Sequence, residues 1–427
     1  MYLLYSALLA AALVAGLPYW LWQMTRHGKY RTGLRERLGS VPARILSSAG
    51  GECIWVHAVS VGEVLAVSGL VEELRRQFLQ YRVVISTTTD TGQKLARGRF
   101  GNENVFYFPV DLASAIRPYL AALRPRLIVV AETEFWPNFL RLAHASGARV
   151  AVVNARVSDR SLSGYRRWRR FLPRILSNVD FFLAQGEEDA RRLVEIGAAP
   201  ERVRVGGNLK YDAPLPTAAA IVGSLRAAFE QGGAGPIFVC GSTVEDEEPL
   251  LLRAFTNVLA SHPRAVMILA PRHPERFEPV ARLLEQLGGR FWRRSLWNGD
   301  AIHGGVLLLD SIGELGSVYA LADVAFVGGS LVPRGGHNIL EPAQHGVAIV
   351  VGSHTENFRD IVGLFQERGA VRVVEASELP LVFMELVEND PERAAMGERA
   401  AEILRAQRGA TGRTIAALRE LLEVDAG

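Results

Sequence analysis

Two acidic sites in the first half of the chain stand where an apolar run meets a helical pattern, a placement suited to proton chemistry. Residues 53–59, read as a strand, end in Ser60-Val61-Gly62-Glu63. At such a helix start, Glu63 either favours the helix dipole or serves as a carboxylate general base. Residues 127–131 end in Glu132-Thr133-Glu134, followed by Phe135-Trp136-Pro137-Asn138. Two acids at an apolar strand end are costly unless paired or used, and Pro137 suits the first turn of a helix. The cations carry a further signal. Of 48 Lys plus Arg, only Lys29, Lys94 and Lys210 are lysine. In Gly207-Asn208-Leu209-Lys210 a compact point charge suits a phosphate or a leaving group, and a solvated loop is the plain alternative.

The second half carries a different set. Residues 237–240 run into Gly241-Ser242-Thr243, and 265–270 into Pro271-Arg272-His273-Pro274. Residues 306–309 run into Asp310-Ser311-Ile312-Gly313-Glu314-Leu315. Residues 324–327 run into Gly328-Gly329-Ser330, with Gly335-Gly336-His337-Asn338 soon after. Small residues let backbone amides approach an anion, so four such loops on one rim point to a nucleotide or phosphate pocket. Asn338 and Glu341 also have the spacing of a variant capping box, so helix initiation alone accounts for that pair equally well. No G-x-x-x-x-G-K-[ST] occurs, which disfavours a P-loop NTPase.

Apolar runs alternating with helical stretches indicate parallel sheets covered on both faces. At ~150 residues per domain, 427 residues hold two or three domains. The pattern predicts an α/β protein with two doubly wound domains facing across a cleft. The expected boundaries are an anchor over 1–25, a first domain over 26–210, a linker over 211–235 with Pro214 and Pro216, a second domain over 236–390, and helices over 391–427. Apolar residues make up 49% and charged residues 22%, which excludes a disordered or fibrous chain. Cys53 and Cys240 cannot build a disulfide framework, and no Cys/His cluster has zinc spacing. No cofactor is expected.

Residues 1–25 contain no charged side chain. A helix over the first 22 would reach roughly 33 Å, enough for a ~30 Å hydrocarbon core. Tyr19, Trp20 and Trp22 then form an aromatic belt, and a basic cluster follows, which places the bulk of the chain in the cytoplasm. A buried or interfacial helix is the alternative, since Pro18 kinks a spanning one. Residues 1–50 hold six basic side chains against Glu36 alone, whereas the rest holds 42 basic and 44 acidic. That asymmetry fits a membrane surface of phospholipid better than nucleic acid. Tyr165-Arg166-Arg167-Trp168-Arg169-Arg170-Phe171-Leu172 reads either as a solvated helix or as a contact for anionic headgroups or a phosphorylated lipid.

Taken in order, several segments resemble the Kdo transferases, membrane-anchored glycosyltransferases that attach 3-deoxy-D-manno-octulosonic acid (Kdo) to lipid A precursor. They are Val59 to Glu63, Glu132 to Asn138, Asn154-Ala155-Arg156, Gly207 to Asp212, Pro271 to Phe277, and Gly328 through Glu341. The resemblance runs from the anchor to about residue 365. It implies a GT-B fold of two Rossmann-like domains, CMP-Kdo as donor, and no catalytic metal. It also implies an inner-membrane location with the catalytic domains on the cytoplasmic face. By position, Glu63 resembles the general base, and Glu132 and Lys210 match residues that stabilise the transition state. Pro271, Arg272, Ile312, Gly313, Glu314, Asn338, Ile339, Leu340 and Glu341 match the CMP contacts. The chain departs from many relatives at Gly352-Ser353, where they have Gly-Pro, and at Thr89-Asp90-Thr91. A transferase for a uridine-diphosphate sugar and a non-catalytic nucleotide-binding scaffold are the competing readings; Glu63 and Glu132 speak against the scaffold.

Overall fold

A computed structural model describes residues 1–27, 32–47, 51–168, 170–212 and 220–423. Lys29, Arg31, Arg169, Pro214 and Pro216 lie outside the described residues. The chain forms two units, one of residues 1–213 and 407–427, the other of residues 214–406.

The first unit is built on β1 (Cys53–His57), β2 (Arg82–Thr87), β3 (Val105–Tyr107), β4 (Pro125–Ala131), β5 (Arg149–Ala155), β6 (Phe181–Ala184) and β7 (Val203–Val205). Every pairing is parallel, in the order β3-β2-β1-β4-β5-β6-β7. Side chains alternate between two cores. Cys53 and Trp55 face one layer, with Phe106, Tyr119 and Phe139. Ile54 and Val56 face the other, with Val64, Val67 and Leu70 of the helix Val61–Gln77. This two-sided burial is why the strands read as continuous apolar runs.

The second unit repeats the design with β8 (Ile237–Thr243), β9 (Val266–Pro271), β10 (Phe291–Arg293), β11 (Gly305–Leu308), β12 (Val324–Val327), β13 (Ala348–Gly352) and β14 (Val371–Val374). Its order is β10-β11-β9-β8-β12-β13-β14, again wholly parallel. The first strand of each unit lies between its second strand and a later one, β4 in the first unit and β12 in the second, so the strand order reverses at β1/β4 and at β8/β12. Such switch points open a crevice at the carboxyl ends of the strands, where ligands bind in open α/β sheets.

Five elements go beyond the sequence expectation. Within the stretch expected to be a linker, Ala220–Gly232 is a helix, because Ile221, Leu225 and Phe229 bury one face beside Val239 and Ile268. The short strands β7, β10 and β14 were not anticipated. The last helix, Ala410–Glu423, packs on the first unit, with Ile415, Leu418 and Leu421 in the same core as Val64 and Leu209. Asp212 fastens its start by accepting from the Gly409 N–H at 2.7 Å and the Thr411 N–H at 2.5 Å. Arg204 grips Glu420 with two nitrogens, at 2.6 and 2.9 Å.

Among the described residues one helix, Tyr2–His27, is long and apolar enough over Tyr2–Trp20 to cross a membrane, with a mean hydropathy of 1.6 there.

Candidate active site

In the first unit the switch point gathers carboxylates. Ser60 caps the helix Val61–Gln77, its Oγ accepting from the Glu63 N–H at 3.4 Å. Glu63 folds back, accepting the Val59 N–H at 2.8 Å on one oxygen and the Ser60 O–H at 3.0 Å on the other. This is a Ser-x-x-Glu capping box whose carboxylate reaches one residue further back than usual. The helix-end alternative is therefore realised. It leaves proton chemistry open, because a carboxylate has about four acceptor sites and two are filled. Glu63 is 8% exposed. Burial, with the negative charges of Glu132 and Glu134, pushes its carboxyl up to about 7, against the lowering effect of the Val59 and Ser60 bonds. A base held near neutral pH is well matched to accepting a proton from a hydroxyl.

Glu132 follows β4 directly and sits in the left-handed region, with φ 56°, its N–H bonded to Val153 O at 2.9 Å. A non-glycine residue there costs on the order of 1–3 kcal/mol and persists only where its surroundings enforce it, a feature that clusters at functional sites. Burial, and then the charge of Glu132, raises the Glu134 carboxyl as well. Glu63 and Glu132 flank the β1/β4 junction, and the charge of Glu132 acts on both Glu63 and Glu134.

Lys210 lies on the turn Leu209–Asp212, which packs against the helix that carries Glu63. Asn154, 1% exposed and also left-handed at φ 53°, holds this turn by accepting the Leu209 N–H at 3.0 Å. Asn208 supports it by accepting the Lys210 N–H at 3.0 Å and donating to Gln185 at 2.9 Å. Asn154 and Gln185 are positioning residues that spacing alone did not assign. The fully buried His57 stacks on Phe108 with ring centroids 3.9 Å apart, and burial pushes it down to about 3, so it stays neutral.

The second unit presents its loops after β8, β9, β11 and β12, four neighbours in one sheet. One expectation is corrected here. The amides of the Gly-Gly-Ser loop do not point at a ligand, because Glu247 takes them. Its carboxylate, fully buried, accepts N–H groups from Gly329 at 2.8 Å, Ser330 at 2.9 Å, Leu331 at 2.8 Å and Val244 at 3.1 Å. The loop is thus a rigid strut held by the chain's own anion. A Cβ on Gly328 would stand 2.6 Å from Ser242 O and 2.8 Å from a Glu247 oxygen. Gly328→Ala should therefore lose about 1–3 kcal/mol through overpacking and melt several degrees lower. Differential scanning fluorimetry reads this directly, and an unchanged melting temperature would refute the close fit.

Arg272 is exposed, anchored by its own N–H to Thr243 O at 2.8 Å. Its charge reaches both His337 and Glu341. Burial and then the Arg272 charge push His337 down to about 4, and its Nε2 is buried without a hydrogen-bond partner. An orphaned imidazole nitrogen beside an exposed Arg suits a bound polar ligand. Burial raises the Glu341 carboxyl. Asn338 accepts the Leu340 N–H at 3.1 Å and donates to the Glu341 carboxylate at 3.3 Å, but the helix Leu340–Ala343 starts from Ile339 without a side-chain cap, so the pair does not form the expected capping box. Ile339 and Leu340 are buried, backbone included, and Pro271 is likewise buried, so none of these three expected contacts presents surface here. Ile312 is 68% exposed, and Gly313 adopts φ 90° beside it. Glu314 is engaged by Arg294 in two bonds of 3.1 and 2.9 Å and by the Ser311 hydroxyl, so it holds its loop together. The sequence pattern singled out neither Arg294 nor Glu247.

These features match known proteins. Residues 32–213 match the family model described as 3-deoxy-D-manno-octulosonic-acid transferase (kdotransferase). The chain is 34% identical over 402 residues to the 3-deoxy-D-manno-octulosonic acid transferase of Haemophilus influenzae, covering 92% of each. It is 35% identical over 418 residues to the Bordetella pertussis enzyme of the same name, covering 94% of this chain and 95% of that one. Among solved structures, the UDP-GlcNAc 2-epimerase from Neisseria meningitidis aligns with a TM-score of 0.54 at 13% identity, over 87% of this chain and all of its own, which speaks to the GT-B fold alone. With both sheets ordered as that fold requires and near full-length identity to two named enzymes, the chain belongs to the Kdo transferase family of glycosyltransferases.

Proposed function

We propose that this Kdo transferase moves Kdo from CMP-Kdo to a lipid A precursor by one in-line displacement that inverts the anomeric centre, at the cytoplasmic face of the inner membrane. The gathering of Glu63, Glu132 and Glu134 at the β1/β4 switch point carries the reading. Glu63 takes the proton from a glucosamine hydroxyl, whose oxygen attacks C2 of Kdo. The bond from C2 to the phosphate oxygen breaks, and CMP leaves as a phosphate monoester. Lys210 and Arg272 stabilise the charge on the departing phosphate, and Glu132 stabilises the positive character that develops at C2. CMP is held by Arg272, the backbone around Pro271, Ile312 and Gly313, and the Asn338-Ile339-Leu340-Glu341 segment. Glu314 fixes the loop that carries two of these contacts.

Membranes containing the enzyme, incubated with CMP-Kdo and lipid A precursor, should yield product heavier by one or more Kdo residues in a mass spectrum. CMP, and not a uridine diphosphate, should raise the melting temperature. Protection by the diphosphate alone, with no mass increase, would overturn the donor assignment.

A further inference from the structure

The first helix is apolar enough to span a bilayer, yet its contacts are those of a helix held on one side. Its first two turns are bound to the first unit by polar groups. Tyr2 donates its O–H to Arg174 O at 3.0 Å and accepts from Asn178 Nδ2 at 3.3 Å. The Arg141 guanidinium lies 4.8 Å from the Tyr2 ring centre. Tyr5 bonds to Asp111, and Ser6 accepts from Asn138 Nδ2 at 2.9 Å. Tyr2, Tyr5, Ser6, Leu9, Ala10 and Leu13 are half-buried, at the spacing of one helical face.

The other end is tethered to the same unit. Leu34–Arg37 begins seven residues after the helix ends at His27, and Arg37 O accepts the Val110 N–H at 2.8 Å. A 26-residue helix is ~39 Å long, longer than a ~30 Å hydrocarbon core. If it crossed, one of its ends would emerge opposite the globular chain. One end is bound to the globular body and chain seven residues past the other packs in that same body, a span of at most ~25 Å, too short to return across the core.

The outward side remains apolar. Leu3 is 87% exposed, Leu4 66% and Leu8 62%. Near the clamp lies a second patch. Phe171 and Trp168 are exposed, with ring centres 6.0 Å apart, among the exposed Arg166, Arg167, Arg170 and Arg174. Apolar bulk ringed by cations complements an anionic lipid surface. Both patches adjoin the acid loop. Tyr165 packs on Phe135 at 5.9 Å and donates to Thr133 O at 3.4 Å, and Asp111 accepts the Asn138 and Phe139 N–H groups at 3.1 and 2.7 Å, just past Trp136.

We infer that the first helix does not cross the bilayer but lies in its cytoplasmic headgroup boundary, clamped at Tyr2, Tyr5 and Ser6, and forms with the Trp168–Phe171 corner one anionic-lipid platform beside the acid loop. The inference rests on the membrane location proposed above and adds how the chain meets the lipid. An acceptor's sugar then reaches Glu63 without leaving the headgroup layer.

The test is cross-linking in native membranes. Cys53 and Cys240 are buried, so introduced cysteines react alone. The pair Ser6→Cys with Asn138→Cys should form a disulfide under mild oxidation in membranes that resist a carbonate wash. Because Asn138 supports the fold, Ser6→Cys with Arg141→Cys and a short thiol-to-thiol linker serves as the second pair. A Tyr2→Cys variant should react with an impermeant maleimide in inverted vesicles and not in spheroplasts. Absence of cross-links in active, membrane-bound enzyme, or labelling from the periplasmic side, overturns the inference. Cross-linking in protein released by carbonate also overturns it, since the helix is then a packed element without lipid. Kdo transfer by the unlinked variants, measured in parallel, reports separately on the proposed reaction.

Discussion

Glu63→Gln should lower Kdo transfer by roughly 10²–10⁴-fold while CMP still raises the melting temperature as in the parent enzyme. Glutamine keeps the shape and an acceptor for the Val59 N–H, so the helix start survives and only proton acceptance is lost. The reaction's pH profile should carry the same signature. In the proposed reaction Glu63 must act ionised, and its carboxyl is held at about 7, so the rate should climb with pH to near 7 and then level off. Folding stability runs the opposite way. Between the ordinary carboxylate value, near 4.5, and about 7, the folded chain binds a proton that the unfolded chain has released. The protonated carboxyl therefore favours the fold fully below that window, and this advantage, about 3 kcal/mol, disappears as pH rises through it. Urea midpoints at pH 5 and pH 8 should differ less in Glu63→Gln than in the parent. An unaltered transfer rate in the folded variant would remove Glu63 from the chemistry.

Glu247→Ala should be the most damaging single change in the second unit. It strips the acceptor from four backbone N–H groups, three in the Gly329–Leu331 turn and one at Val244, buried or partly buried. Leaving such donors unsatisfied costs about 1–3 kcal/mol each where water cannot reach them, so a loss of about 3 kcal/mol or more is expected. CMP protection should fall with it, since the strut sets the rim on which Arg272 and His337 stand. Glu247→Gln should be intermediate, because its amide retains one oxygen but turns an NH₂ toward N–H donors. Chemical denaturation and CMP titration of both variants measure this. Parent-like stability of the alanine variant would mean that the Gly328-Gly329-Ser330 turn holds itself.

The parallel sheets were readable because burial on both faces erases polar alternation, which made runs such as Val324–Val327 and Phe181–Ala184 plain. Strands without that burial escaped notice. β7 is half-exposed to exposed along its length, and no position of β10 is fully buried. The helix Ala220–Gly232 was masked by its nearness to Pro214 and Pro216, whose presence suggested a link. At the site, Glu63 and Glu132 stood out because acids are rare at apolar strand ends. Glu247 did not, since Asp246-Glu247-Glu248 reads like any acidic first turn of a helix. Only the fold shows that it faces inward to Gly329 and Ser330, more than eighty positions further along the chain. The destination of the last helix was equally silent, because its Leu and Ala face would suit either sheet.

That last helix has a genetic consequence. Because Ile415, Leu418 and Leu421 complete the core beneath β1 and β4, a stop codon near position 408 would not trim a dispensable tail of the second half. It would leave that half intact in sequence and open the acid-bearing one, so late nonsense alleles should behave like lesions in the front of the gene.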